Sequence, residues 1–478
     1  MNIRTKYGNN YYLSLSKKEI LVMPLTLSKL IDGDVNALTQ DKVELSYYKQ
    51  KYELLEKAGY FIPKRHIISD RINKELLERA IANSNHIVFE TTEACNLQCK
   101  YCGYGEIYST FGKREKHRLS FDKVKILLDF LLEKWNSPLN ISFNKRINIS
   151  FYGGEPLMNF PLIEKTVNYI STCNLKKSRI NFSLTTNGIL LDNHIDFFTK
   201  WDFTLFISID GNKSHNAFRV HQNGRESFEK VYENITLIKE KYPIYFKNNV
   251  FFNSVFHIKS SFIEVTDFFQ KHFNKSPQFL WLNTFGVASG KEKEFEKLYK
   301  NPVYTLNMEG ICHPEIKEQF SSTKEKVLSL FYHFNNDLFA EYNAVRFNIE
   351  NSILPTGTCI PFQHKIYVSA EGNILPCEKV GFEFIMGKIT NAGVTINYEA
   401  IANYYNQKFE CIIKDLCDKC KNIFCKSCIF TMKNEKGKLY CNKFLNKKEF
   451  DNYMSHLIEE CEEQPEIVTD ILRSIQNK

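Results

Sequence analysis

The sequence predicts an α/β protein built around an open barrel of six parallel strands, with a small α+β unit before it and a cysteine-rich domain after it. Three observations carry this reading. From His86 onward the runs HIVFET, INISFYGG, INFSLTTNG, FTLFISIDG, YFKNNVFFN and QFLWLN are short and β-rich, and amphipathic segments such as FDKVKILLDFLLEKW and SFEKVYENITLIKEKY lie between them. Strand, loop and helix in repetition is the pattern of a parallel sheet with helical crossovers. The 478-residue length has room for about three domains. Of the 14 cysteines, eight crowd the stretch from Cys359 to Cys441, where the strand–helix rhythm has ended.

In chain order, residues 1–64 form the first unit. From Tyr11 to Met23, two short apolar runs flank Ser-Lys-Lys and predict a hairpin. LTLSKLIDG reads as a short helix closed by Gly33. ELSYYKQKYELLEKAG reads as a longer helix whose Leu45, Tyr48, Tyr52 and Leu55 recur at helical spacing. FIPK breaks the chain, and RINKELLERAIANS predicts a helical bridge within 65–85. The barrel spans 86–300. Six strands fit an open barrel better than a closed eight-stranded one, and ligands then sit at the carboxyl ends of the strands. A helical linker follows over 301–358, the cysteine-rich domain over 359–445 and a terminal helix over 446–478.

Composition excludes several classes. With 43% hydrophobic residues the chain can build real cores. The first twenty residues, MNIRTKYGNNYYLSLSKKEI, have no apolar core followed by a small-residue cleavage site, and no stretch approaches the ~18 uncharged apolar residues of a membrane span. A cytoplasmic location without membrane contact is therefore expected. In a reducing compartment, clustered cysteines point to metal or redox chemistry rather than to disulfides. The formal charge of +8 is spread along the chain beside Asn, Ile and Phe, so nucleic acid is not an expected partner.

The chemistry concentrates at strand ends. CNLQCKYC places Cys95, Cys99 and Cys102 directly after the first barrel strand. Three thiolates fill three corners of a 4Fe-4S cube and leave one iron open, whereas a structural zinc site needs a fourth ligand. A zinc knuckle with a distant fourth ligand is the competing reading. The next strand ends in FYGGEP, where Gly153 and Gly154 permit close backbone approach to a ligand and Glu155 offers a carboxylate to an amine.

These motifs, followed by TTNG (Thr185 to Gly188) and SIDG (Ser208 to Gly211) on successive strands and then His215 and Arg219, resemble the radical S-adenosylmethionine (SAM) superfamily from about Ile87 to Phe285. The resemblance implies a cluster held by Cys95, Cys99 and Cys102, with SAM on its open iron. It places the Tyr101 backbone near the adenine, Gly153, Gly154 and Glu155 at the SAM amine, Ser208 at the ribose and Arg219 at the carboxylate.

Cys359, Gly372, Cys377, CDKCKNIFCKSC and Cys441 resemble the SPASM domain, which holds two auxiliary 4Fe-4S clusters; two zinc sites are the alternative. The resemblance assigns Cys417, Cys420, Cys425 and Cys441 to an outer cluster and Cys359, Cys377 and Cys428 to an inner one. The inner set is completed by Cys312 or left open. Cys173, Cys411 and Cys461 read as ordinary buried thiols. Glu378, beside Cys377, is a candidate general base, with a solvated surface Glu as the alternative.

Residues 1–64 resemble a degenerate PqqD-like, winged-helix recognition element that grips leader peptides by adding them as a strand. The whole then resembles peptide maturases of ribosomal natural-product pathways. Expected are oxidative C–C or thioether cross-linking of a leader-bearing precursor peptide and a flavodoxin- or ferredoxin-type reductant. Alternatives are formylglycine formation of the anaerobic sulfatase-maturating kind, peptide epimerisation, or a non-enzymatic zinc or iron–sulfur protein in nucleic-acid binding or electron transfer.

Overall fold

In the computed structural model, ten strands of the described residues join in one sheet. The structure describes residues 1–309 and 358–476, apart from 15, 18, 35–40, 63–71, 110–113, 142–144, 177, 285, 423–424, 426, 436–437 and 442, together with Val327 and Leu330. The chain divides into two units: Ile72–Lys317 with Cys359–Tyr405, and Met1–Arg71 with Glu318–Thr358 and Asn406–Lys478.

The first of these, the barrel unit, contains the large sheet. Strands β4 (His86–Thr92), β5 (Lys145–Gly153), β6 (Ser178–Thr186), β7 (Thr204–Ser208), β8 (Val250–Phe256) and β9 (Gln278–Trp281) are parallel neighbours in chain order. Ile147, Ile149 and Phe151 of β5 are fully buried, while Asn148, Ser150 and Tyr152 alternate with them and are half-buried. The face carrying Asn148 and Ser150 is polar: Ser150 meets Ser183 at 2.6 Å and His86 Nε2 at 2.7 Å. Strand periodicity thus sends an apolar set one way and a polar set the other. Crossover helices begin at side-chain caps, with the Ser120 hydroxyl accepting the Lys123 N–H and the Ser261 hydroxyl accepting the Glu264 N–H.

One expected strand is shorter than its apolar run. YFKNNVFFN splits into a helix, Pro243–Asn249, and β8 from Val250. Pro243 in the first turn presets helical φ, and β-branched character begins only at Val250.

The sheet also continues beyond the barrel. β10 (Ile366–Val368) pairs parallel with β4, and β11 (Asn373–Leu375), β12 (Gly387–Thr390) and β13 (Gly393–Ile396) follow antiparallel. The sequence reading drew one domain over 359–445, whereas residues 359–405 build onto the barrel sheet and residues from 406 fall in the other unit.

In that second unit, β1 (Asn2–Arg4), β2 (Asn10–Ser14) and β3 (Glu19–Met23) form an antiparallel sheet. Ile3 and Leu13 share a core with Phe450, Met454, Leu457, Ile458 and Ile471 of the helices Lys447–Glu463 and Pro465–Gln476. Tyr7 and Tyr11 hydroxyls donate to Glu463 and Glu462 at 2.6 and 2.7 Å. The N-terminal sheet and the terminal helix, read as separate from sequence, therefore bury one another. The helices Leu25–Asp32 and Lys42–Lys57 close a smaller core of Tyr12, Met23 and Leu27 with Tyr48, Tyr52, Leu55 and Phe61. A hairpin of β14 (Lys433–Glu435) and β15 (Lys438–Tyr440) follows the last CxxC pair. Among the described residues no helix is long and apolar enough to cross a membrane.

Candidate active site

The loop after β4 is fastened on both sides through its backbone. The Gly154 and Glu155 N–H groups donate to the Thr92 and Ala94 carbonyls, both at 2.8 Å. On the other flank, Gln98 and Lys100 N–H groups donate to Val220 and Phe218 at 2.7 and 3.0 Å. The Gln222 amide reaches the Cys95 carbonyl at 2.7 Å. Cys95, Cys99 and Cys102 are thus held between the end of β5 and the segment following β7.

All three thiols are half-buried. Burial pushes Cys95 up to about 11 and Cys99 up to about 12, with Arg219 opposing the rise at Cys99. Cys102 is also raised, first by burial. The Leu97 N–H and the Asn187 amide point at the Cys95 sulfur, at 3.4 and 3.7 Å. Among the described residues no three His, Cys, Asp or Glu side chains are gathered tightly enough for a single ion. The fit to an iron–sulfur cluster therefore rests on donor chemistry: neighbouring thiols that ionise only against a shared cation, with N–H groups aimed at sulfur.

The glycines of FYGGEP serve the loop before any ligand. Gly153 has φ +137°, and a Cβ there would lie 2.4 Å from the Thr92 carbonyl oxygen. At Gly154 a Cβ would lie 2.3 Å from the Ala94 oxygen and 2.5 Å from that of Glu93. Glu155, expected at an amine, is held by donors of the protein itself. It is fully buried and accepts from Leu157 N–H at 3.1 Å, Thr186 hydroxyl at 2.7 Å and Asn187 N–H at 2.8 Å. Its carboxylate ties GGEP to TTNG, and burial raises its pKa to about 7 against those donors.

Arg219 and Tyr101 meet at Asp210, the acidic residue of SIDG. Arg219 Nη2 donates to Asp210 Oδ1 at 2.9 Å, and the Tyr101 hydroxyl donates to Oδ2. Tyr101 also stacks on His257, with ring centroids 5.6 Å apart. Burial disfavours the Asp210 carboxylate, but Arg219 outweighs it and brings the group down to about 2. The Nε of Arg219 is buried and has no hydrogen-bond partner among the described residues. A guanidinium N–H without an acceptor, close enough to Cys99 to act on its thiol, suits a ligand carboxylate. Ser208 ends β7, half-buried and opposite Asn253.

A second polar cluster, without a motif to announce it, adjoins Cys102. Arg114 pairs with the fully buried Glu90, whose other oxygen accepts the Ala370 N–H at 3.0 Å. The Arg114 guanidinium lies 4.1 Å from the Tyr104 ring centre, and the Tyr104 hydroxyl is 3.3 Å from that of Tyr367. Glu378 is ion-paired with Lys365, at 2.7 and 3.0 Å. Burial opposes its ionisation, yet Lys365 holds its pKa below the usual range. The Glu378 charge, after burial, helps raise the Tyr152 phenol.

In the second unit Cys417, Cys420, Cys425 and Cys441 line one cavity of about 30 Å³ with Leu416, Asn422, Met432, Lys443 and Phe444. Asn422 and Leu445 N–H groups point at the Cys420 sulfur, each at 3.4 Å. Burial, and then the neighbouring thiols, push Cys417 up to about 12. Four thiols around one cavity are the donor chemistry of a 4Fe-4S cluster, and they are not gathered tightly enough for a single zinc ion. Cys359 and Cys377 belong to the barrel unit and Cys428 to the other, while Cys312 and nearly all of 301–358 beyond Glu309 lie outside the described residues. Cys411 is exposed, not the buried thiol expected, and Cys173 and Cys461 are half-buried.

Comparison with known proteins agrees with the barrel. Residues 89–268 match the family model described as the radical SAM superfamily, so the chain carries a radical SAM domain. It is 30% identical over 168 residues to the radical SAM cyclopropyl synthase TigE of Paramaledivibacter caminithermalis, covering 34% of this chain and 33% of that protein. It is 28% identical over 147 residues to a cysteine-type anaerobic sulfatase-maturating enzyme of Clostridium novyi, covering 30% and 37% of the two chains. The matches span about a third to a half of the relatives' lengths. The solved structure of native anSMEcpe with bound AdoMet shares the fold, with TM-score 0.51 and 20% identity over 81% of this chain and 99% of that one.

Proposed function

We propose that this chain is a radical SAM peptide maturase that oxidatively cross-links residues of a ribosomally made precursor through C–C or thioether bonds. The observation that carries the chemistry is the clamped Cys95–Cys102 loop beside Arg219, whose buried Nε has no hydrogen-bond partner among the described residues. A 4Fe-4S cluster with SAM, when bound, supplies a 5'-deoxyadenosyl radical able to take hydrogen from an unactivated C–H bond. Cys95, Cys99 and Cys102 would hold that cluster, and Arg219 would orient the SAM carboxylate while Asp210 fixes the guanidinium. Cys417, Cys420, Cys425 and Cys441 would hold a further cluster, giving the protein a place to receive an electron when the product is oxidised. Glu378, kept ionised by Lys365, would accept a proton as the substrate is oxidised.

A peptide substrate is supported by the N-terminal sheet. Among the described residues β3 has a neighbour only on its β2 side, and Val22 within it is 75% exposed. Val43, Tyr47 and Leu54 lie exposed on the helix Lys42–Lys57, which has no buried residue. An open strand edge and an apolar helix stripe suit an added peptide strand. The solved anSMEcpe structures include complexes with bound AdoMet and peptides, which keeps sulfatase-type formylglycine formation as the second reading. Mass spectrometry distinguishes them after anaerobic turnover. Loss of two hydrogens per cross-link in a leader-bearing peptide supports the proposal, and conversion of a sulfatase peptide alone overturns it.

A further inference from the structure

We propose that the recess formed by His117, Arg118, Lys123 and Lys388 is the docking surface for an acidic one-electron carrier protein, of flavodoxin or ferredoxin type, serving the Cys95 loop. The proposal rests on the radical SAM reading above. The recess is open, about 330 Å³, and is completed by Ala370 and Glu371. It gathers three permanent cations, Arg118, Lys123 and Lys388, around Glu371, while Glu93 and Glu115 stand against His117 at its edge.

Those cations are not neutralised. Lys123 Nζ donates to the backbone carbonyl of Glu371 at 2.6 Å, leaving its charge unmatched. Among the described residues neither Arg118 nor Lys388 is paired with a carboxylate, whereas exposed lysines elsewhere find partners, as in Lys125–Asp129, Lys213–Glu226 and Lys241–Asp196. Only His117 faces acids, with Glu93 at 3.2 Å, Glu115 at 3.7 Å and Glu371 at 3.8 Å. Beside it Lys116 is exposed and adopts φ +64°, a strained backbone for a lysine.

The rim is fastened to the strand end that presents the thiols. Arg118 bridges antiparallel to Thr92, Leu119 N–H donates to the Thr91 carbonyl at 3.0 Å, and Glu93 N–H donates to the His117 carbonyl at 2.9 Å. Cys95 follows Thr92 by three residues, at most about 10 Å of extended chain. An unpaired basic surface next to a redox centre steers an acidic carrier to the place where transfer is short, and such steering acts mainly on encounter rate and orientation. The step would be one-electron transfer: the carrier would lose an electron, the cluster that Cys95, Cys99 and Cys102 would hold would gain it, and no bond on the protein would be made or broken.

The test is titration calorimetry of the reconstituted protein with oxidised flavodoxin, and in parallel with a [2Fe–2S] ferredoxin. The expected result is a complex with at least one carrier that Arg118→Glu, or the double change Lys123→Glu with Lys388→Glu, weakens by roughly ten-fold or more. Raising salt from about 0.1 to 1 M, where the screening length contracts from about 10 to 3 Å, should weaken the parent complex and barely affect the variants. Lys200→Glu should leave affinity unchanged, and dithionite-driven SAM cleavage should be equal in all four proteins. Binding of neither carrier, equal affinity in parent and variants, or a patch that binds only single-stranded nucleic acid overturns the proposal. Failure of the underlying reading looks different: the parent then makes no 5'-deoxyadenosine with dithionite, whatever its affinity for the carriers.

Discussion

Arg219 and Asp210 form a buried ion pair, 2.9 Å from Nη2 to Oδ1, and the same oxygen accepts the Val255 N–H at 2.9 Å. Because Tyr101 donates to the second oxygen, the pair joins the cysteine loop to the ends of β7 and β8. Replacing Asp210 with Asn leaves a buried guanidinium uncompensated, and urea unfolding should show a loss of about 3–5 kcal/mol. The folded pKa of about 2 lies below the usual ~3.9, so this stabilisation is present above about pH 4 and lost as pH falls toward 2. The gap between parent and Asp210→Asn should narrow over that window; a constant gap would contradict the pairing.

Glu155 has the opposite sign. Its folded pKa of about 7 lies above the ordinary carboxylate value, so its contribution is fully present below about pH 4 and declines as pH rises through 7. Glu155→Gln should flatten that decline while costing about 1–3 kcal/mol, because one of three N–H or O–H donors then faces an amide NH₂. An unaltered pH profile in urea unfolding would count against the buried carboxylate.

Gly154→Ala should misplace the cysteine loop, since the new Cβ would lie 2.3 Å from a backbone carbonyl that has no side-chain freedom. Iron bound after reconstitution and SAM cleavage should both fall, by roughly ten-fold or more for cleavage if the loop shifts by an ångström. Gly103→Ala, where a Cβ meets nothing within 4 Å, should behave as the parent does.

Val22→Glu tests the strand edge. At 75% exposure the side chain contributes little to folding, so stability should change by no more than about 0.5 kcal/mol. Fluorescence anisotropy with a labelled leader peptide should show binding at least about ten-fold weaker, as a charge on an open edge discourages strand addition. Unchanged affinity would move the leader elsewhere.

The strand-end motifs were legible because each sits where a parallel strand must deliver its ligands: Cys95 to Cys102, Gly153 to Glu155, and Ser208 to Arg219 follow three such ends. Partnering was less legible. Glu155 looked like a free carboxylate because sequence does not show that Thr186 and Asn187 return to it. Nothing in SIDG alone marks Asp210, although SIDG and Arg219 together hold the signal of a buried pair. Arg114 and Glu90 gave none, since their pairing depends on a loop crossing back over β4. The strands IYV, NIL, GKIT and GVTI are too short to show a period, which hid the extension of the barrel sheet into the cysteine-rich region. The shared core of Leu13 and Phe450 depends on residues at opposite ends of the chain.

The most direct measurement is anaerobic reconstitution followed by metal analysis and a dithionite-driven SAM-cleavage assay, on the parent and on Cys99→Ala. The two clusters proposed would give about eight irons in the parent, and about twelve if Cys359, Cys377 and Cys428 hold the third. The account predicts 5'-deoxyadenosine from the parent, and from Cys99→Ala about four fewer irons with no cleavage. Zinc in place of iron with SAM left intact, or cleavage retained without Cys99, would contradict it.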